Sequence, residues 1–216
     1  MSRLLAFLVL FWCGLTVGCA TFDHPLSPLD EAEIDQEVMG SWYNARVDEE
    51  GNRVQTYLHI GLPHRATVNS QVGEYGNFNP REIDDDNSEI KLGNLMRITV
   101  TSIEADGKID GGNILAYPTK LEKHHYANVP LFQKGKVVSH RILKYELDGD
   151  ELNVWVAPKD SAISDLIAAG QLHAGKEKLQ VTDNTETLRK VFAENDSRLY
   201  PPEQKATFRR IKLPQK

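Results

Sequence analysis

From Gly40 onward, apolar and polar residues alternate with a period of two. In Arg53–Ile60, Val54, Thr56, Leu58 and Ile60 share one face, and Arg53, Gln55, Tyr57 and His59 share the other. Arg65–Val72 alternates in the same way, and Met96, Ile98 and Val100 oppose Arg97, Thr99 and Thr101. Leu143, Tyr145 and Leu147 continue the pattern, as do Leu152, Val154 and Val156. Such alternation turns one face of a strand to a core and the other to water. Turn residues punctuate the runs at Glu50-Gly51-Asn52, Asp106-Gly107, Asp110-Gly111-Gly112 and Asp148-Gly149-Asp150. The last of these predicts a hairpin in which Lys144–Leu147 returns through Glu151–Ala157. Five or more antiparallel strands with short turns predict a mainly β domain, a meander forming a small barrel or a sandwich.

Late in the chain the period changes to that of helices. Ile163, Leu166 and Ile167 line one side behind Asp160 or Ser161 as a cap, and Gly170 stops the run. Leu188, Val191 and Phe192 follow Thr182, Asp183 or Asn184, with Glu186, Arg189 and Lys190 outward. Between these two short helices Lys178–Val181 reads as a short strand. Pro201-Pro202 closes the section and Ala206–Leu213 predicts a final strand. Asp30–Met39 reads equally as one helical turn or as an acidic extension of a linker.

The N-terminus obeys neither period. Arg3 precedes an uninterrupted run of apolar and small residues from Leu4 to Val17, and no acidic residue stands before Asp23. The run is short of the roughly 20 residues a spanning helix needs and reads as an export signal that is removed. Leu15-Thr16-Val17-Gly18-Cys19 at its end resembles the lipobox of bacterial lipoproteins, with Thr16 at the place usually held by Leu. The resemblance implies cleavage before Cys19 and acylation of that cysteine, a membrane partner reached through its lipid. Ala20 after the cysteine resembles the enterobacterial pattern sent to the outer membrane, which places the protein in the cell envelope facing the periplasm. The expected organisation is a cleaved signal over residues 1–18, a lipid-anchored tether over 19–39 with Pro25 and Pro28, and one β-rich domain over 40–213.

Gly40-Ser41-Trp42 opens the first strand and resembles the Gly-x-Trp motif of lipocalins. That resemblance implies a closed barrel plugged by Trp42 and an apolar small molecule as ligand. Tyr57 and His59 on one strand face, and Trp155 on the polar side of its own strand, join Trp42 as candidate ligand-binding positions.

Composition narrows the remaining classes. The chain has 216 residues with 25 basic and 31 acidic, a formal charge of −6, which argues against broad nucleic-acid binding. Loss of Arg3 with the signal makes the mature chain more acidic still. Two cysteines, Cys13 and Cys19, are too few for a disulfide framework, and the first leaves with the signal. Adjacent His124 and His125 point to opposite faces of a strand, and His59 and His64 meet only if Gly61-Leu62-Pro63 turns sharply. Asp84-Asp85-Asp86 reads as a solvated loop. No nucleophile elbow, phosphate loop or zinc helix is present, so no catalytic residue, metal site or cofactor is predicted. The expected role is non-catalytic binding or structural, with lipocalin-like small-molecule binding first. An interaction module for another envelope protein is the alternative, and a hydrolase has the weakest footing.

Overall fold

The structure, a computed structural model, describes residues 19–47, 51–62, 94–133, 136–177 and 179–212. Eight strands form a closed antiparallel barrel: β2 (Gly40–Val47), β3 (Arg53–Gly61), β4 (Met96–Ile103), β5 (Ile109–Leu121), β6 (His124–Gln133), β7 (Lys136–Asp148), β8 (Glu151–Trp155) and β10 (Ala206–Arg210). Each pairs with the next, and β10 closes the ring onto β2 through Arg209 opposite Tyr43 and Arg210 opposite Trp42. The meander is therefore a barrel and not a sandwich. The Arg65–Val72 run and Asp84-Asp85-Asp86 lie outside the described residues.

The period-two pattern fills the interior as expected. Leu58, Ile60, Val100, Leu143, Tyr145 and Leu152 join Trp42 and Phe208 in one buried cluster. The β7–β8 hairpin pairs Lys144 with Trp155 and Asp148 with Glu151, turning at Gly149 with φ of +57°, where a side chain would be strained.

A second layer covers part of the barrel's outer face. It comprises α1 (Asp160–Ala168) and α2 (Thr185–Leu199), while β1 (Thr21–Phe22) and β9 (Gln180–Val181) extend the sheet beside β7. α1 starts without a side-chain cap and ends before Gly170 at φ of +70°, whereas Asn184 caps α2 by accepting from the Thr187 N–H at 2.9 Å. Phe22, Leu26, Ile163, Leu166, Leu188 and Phe192 pack there on outward Tyr126, Ile142 and Trp155. Phe192 stands edge-on to both Phe22 and Tyr126, with centroids 5.6 and 5.8 Å apart, the arrangement aromatic quadrupoles favour.

The segment before β2, read from sequence as a tether, lies against the barrel. Ala20 is 1% exposed, Phe22 and Leu26 are fully buried, and two 3-10 turns at Leu29–Glu31 and Gln36–Val38 follow. Its prolines shape a docked path because Phe22, Leu26 and Val38 carry apolar surface that the outer face and the barrel base remove from water.

Asp110-Gly111-Gly112, expected as a turn, runs inside the 13-residue β5. This strand changes partner along its length: Ile109–Ala116 pairs with β4, and Tyr117–Leu121 pairs with β6. Gly111 is required by close approach, since a Cβ there would lie 2.5 Å from the Val100 carbonyl oxygen. Gly111→Ala should lower stability by about 1–3 kcal/mol, read as a drop in the urea midpoint with the far-ultraviolet spectrum retained.

His140 on β7 is the register partner of Phe22 on the neighbouring β1 and is buried there. Burial lowers its imidazole pKa from 6.5 to about 4; a hydrogen bond with the Phe22 backbone acts the other way, and His24 adds to the lowering. Between those two values the unfolded chain takes up a proton that the folded chain refuses, so stability is present above the window and is lost as pH falls through it. The loss should reach about 3 kcal/mol. His140→Gln should flatten that part of the profile when urea midpoints are recorded on either side of the window.

Candidate binding site

One end of the barrel is built shut around Trp42. Gly40, at φ of +126°, bends the chain so that the Gln36–Val38 turn precedes β2 directly. The fully buried Trp42 indole donates from Nε1 to the Val38 carbonyl at 2.9 Å. The Arg210 guanidinium lies 4.1 Å from the centre of the Trp42 ring, and it donates to the carbonyls of Met39, at 2.8 Å, and of Glu37. A half-exposed cation over an indole contributes about 1 kcal/mol, and here the same cation ties the last strand to the segment before the first. Asp35 adds a second tie. One carboxylate oxygen accepts from the Glu37 N–H at 3.0 Å, and the other accepts from the Tyr145 hydroxyl at 3.0 Å with His125 Nδ1 3.8 Å away. Burial, and then the Asp35 charge, push the Tyr145 phenol well above its ordinary value, so it stays a donor.

The β2–β3, β4–β5 and β6–β7 connections all lie at the opposite end. Towards it polar groups join the inward positions, among apolar ones such as the buried Val54. Asn44, the next inward residue after Trp42, donates to the Thr207 carbonyl at 2.6 Å, and its cross-strand partner Thr56 lies 3.4 Å from the Ser102 hydroxyl. Ile114, Leu131 and Arg141 are half-buried there, whereas Met96, Ala116 and Phe208 nearer Trp42 are fully covered. The interior is thus apolar and sealed at its base, and it offers hydrogen-bonding groups higher up. Such a gradient suits a molecule with an apolar body and one polar end.

The four candidate ligand-binding positions do not converge. Trp42 forms the floor. Tyr57 and His59 stand on the outer face: the Tyr57 ring packs 5.1 Å from Tyr43, and His59 Nδ1 lies 3.0 Å from the Ser41 hydroxyl. Trp155 also faces outward but is buried beneath the helical layer, donating to the Pro201 carbonyl at 2.9 Å. The alternation that sends Leu58 and Ile60 inward sends Tyr57 and His59 out, and Trp155 is covered by an element its own strand does not announce. Cys19 is half-buried at the start of the described residues, and burial pushes its thiol up. His124 and His125 do face opposite ways, the first towards Asp196 and Glu146, the second towards Asp35.

The helical layer also hides an ionic cluster that pattern alone does not reveal. Lys144 is 4% exposed, and its Nζ lies 2.7 Å from Asp196 and 2.8 Å from Glu146, over the Trp155 ring at 4.8 Å. The Tyr126 hydroxyl donates to the other Asp196 oxygen at 2.7 Å. α2 departs from helical geometry at Asn195 (φ −122°, ψ 16°), immediately before the buried Asp196. The cluster fixes where α2 lies on β6 and β7. Asp196→Ala should therefore cost about 3 kcal/mol by leaving Lys144 with one half-exposed partner, and the double variant Lys144→Met/Asp196→Leu should recover most of that loss; thermal unfolding of the three proteins measures it.

No family model matches this chain, and neither a curated protein nor a solved structure is detectably similar to it.

Proposed function

We propose that the protein is an exported, lipid-anchored binding protein of the bacterial cell envelope, whose barrel takes up a small apolar or amphipathic molecule in a lipocalin-like manner. The observation that carries this reading is the one-ended barrel: Trp42, Arg210 and Asp35 staple one end, and polar groups such as Asn44, Thr56 and Ser102 join the apolar inward lining towards the other. Gly40-Ser41-Trp42 supports it by standing at the start of the first barrel strand. The anchor rests on the sequence from Leu4 to Cys19. The same sequence assigns attachment to acyl chains on Cys19 in the outer membrane, facing the periplasm. Two such chains give stable anchoring. Because Ala20 and Phe22 already belong to the packed layer, the lipid would hold the barrel close to the bilayer.

A second reading, docking to another envelope protein, draws on the rim. Val47, Ile109, Val137 and Val138 are exposed apolar side chains at the end opposite Trp42. Native mass spectrometry of the full-length protein, released from membranes of its host, separates the two. The expected spectrum shows a covalent mass at Cys19 together with a small molecule that denaturation releases. Cys19→Ser should lose the covalent mass and leave the membrane fraction while keeping the released molecule. A bare barrel that photo-cross-links through position 138 to one protein would favour docking instead.

A further inference from the structure

We propose that Arg141 makes the barrel selective for amphiphiles with an anionic head, a carboxylate or phosphate monoester on a hydrocarbon tail, with the head at the guanidinium and the tail towards Trp42. This rests on the binding role proposed above and names the class of ligand.

Strand alternation sets the direction of the side chain. Leu143, two residues further along β7, and Val129, the cross-strand partner of Arg141, both belong to the cluster that contains Trp42. Ile142 between them turns outward to the helices. Arg141 therefore stands on the inward face, half-buried, in the part of the lining that is becoming polar. Its Nε is fully buried and has no hydrogen-bond partner among the described residues. No carboxylate of the described residues forms an ion pair with it. By contrast, the buried Lys144 has two carboxylates, and the half-buried Arg210 has the Trp42 ring and two carbonyls. Arg97 also has a buried, unpartnered Nε, but it neighbours inward Met96 and Ile98 on β4 and so faces out.

The ionisable neighbour of Arg141 is Cys19. That thiol is pushed above its ordinary value by burial, so it is neutral at neutral pH, and an acylated Cys19 carries no thiol at all. In neither form does it supply a counter-charge. An Nε buried without a partner is unfavourable, and an anionic ligand corrects this by accepting charge-assisted hydrogen bonds in the fork geometry that arginine presents.

The test uses the full-length protein held in a fluorinated surfactant, which does not mix with hydrocarbon probes. Dansyl-undecanoic acid and its methyl ester report binding by energy transfer from tryptophan. The acid should bind at least about tenfold more tightly than the ester, Arg141→Gln should erase that difference while leaving the ester unchanged, and Arg141→Lys should keep part of it. Displacement by laurate or dodecyl phosphate but not by dodecanol supports the proposal and tells which anion is preferred. Equal affinity for acid and ester, or equal displacement by dodecanol, overturns it while leaving the binding barrel intact. Failure of both probes to bind sinks the barrel reading and this one with it. Without probe, Arg141→Gln should melt at the same temperature or higher, and a marked fall would assign Arg141 a structural role instead.

Discussion

Closure at Trp42 is the constraint from which the rest of the molecule follows. β10 reaches β2 through only two registered residues, Arg209 and Arg210, so the backbone ladder alone is a thin seam between the ends of the chain. Arg210 thickens it by covering the Trp42 ring and bonding two carbonyls of the segment that precedes β2. A non-local closure of this kind costs chain entropy before it returns any contact energy, which is why it is concentrated in one large aromatic and one multivalent cation. Once the seam holds, the barrel has a base, and the opposite end is the one with accessible inward groups.

The second constraint falls on β6 and β7, which are buried on both faces. Inward they supply Ala127, Val129, Leu143 and Tyr145 to the barrel, and outward they supply Tyr126 and Ile142 to the helical layer. Lys144 is the one outward cation of this region that is covered, and its two carboxylates and the indole beneath it replace the water it has lost. The covered wall is thus met by apolar residues, by the hydrogen-bonded Asn128 amide and by a paired ion at Lys144.

This double burial also explains what was legible beforehand. β3, β4 and the β7–β8 hairpin face a core on one side and water on the other, so their alternation is plain, and the two late helices show their period for the same reason. The β6 sequence from Tyr126 to Leu131 lacks alternation because both faces are covered, and it passes unnoticed. Asp110-Gly111-Gly112 looks like a turn because glycine there serves close strand approach, a need that only the neighbouring Val100 carbonyl reveals. Trp42 was visible through its Gly-x-Trp setting. Arg210, Asp35, Asp196 and Arg141 were not, because each acquires its role from a partner, or from the lack of one, set by tertiary register.

The covered wall and the N-terminal segment meet on a single strand. Along β7, His140 turns out beside Phe22 of β1, Arg141 turns in, Ile142 turns out to the helices, Leu143 turns in, and Lys144 turns out to Asp196. β1 lies between β7 and β9, so the residue following Cys19 is locked to the wall whose inner surface carries the uncompensated cation. A neutral His140 is the condition for that docking, since a charged imidazole in the same place would have to be desolvated with little to pair it. The docking of the N-terminal segment, the seat of the helices and the inward cation therefore share one element. A change that shifts β7 by one residue would exchange its two faces, turning Arg141 into the helical core and Lys144 into the barrel, so these features stand or fall together.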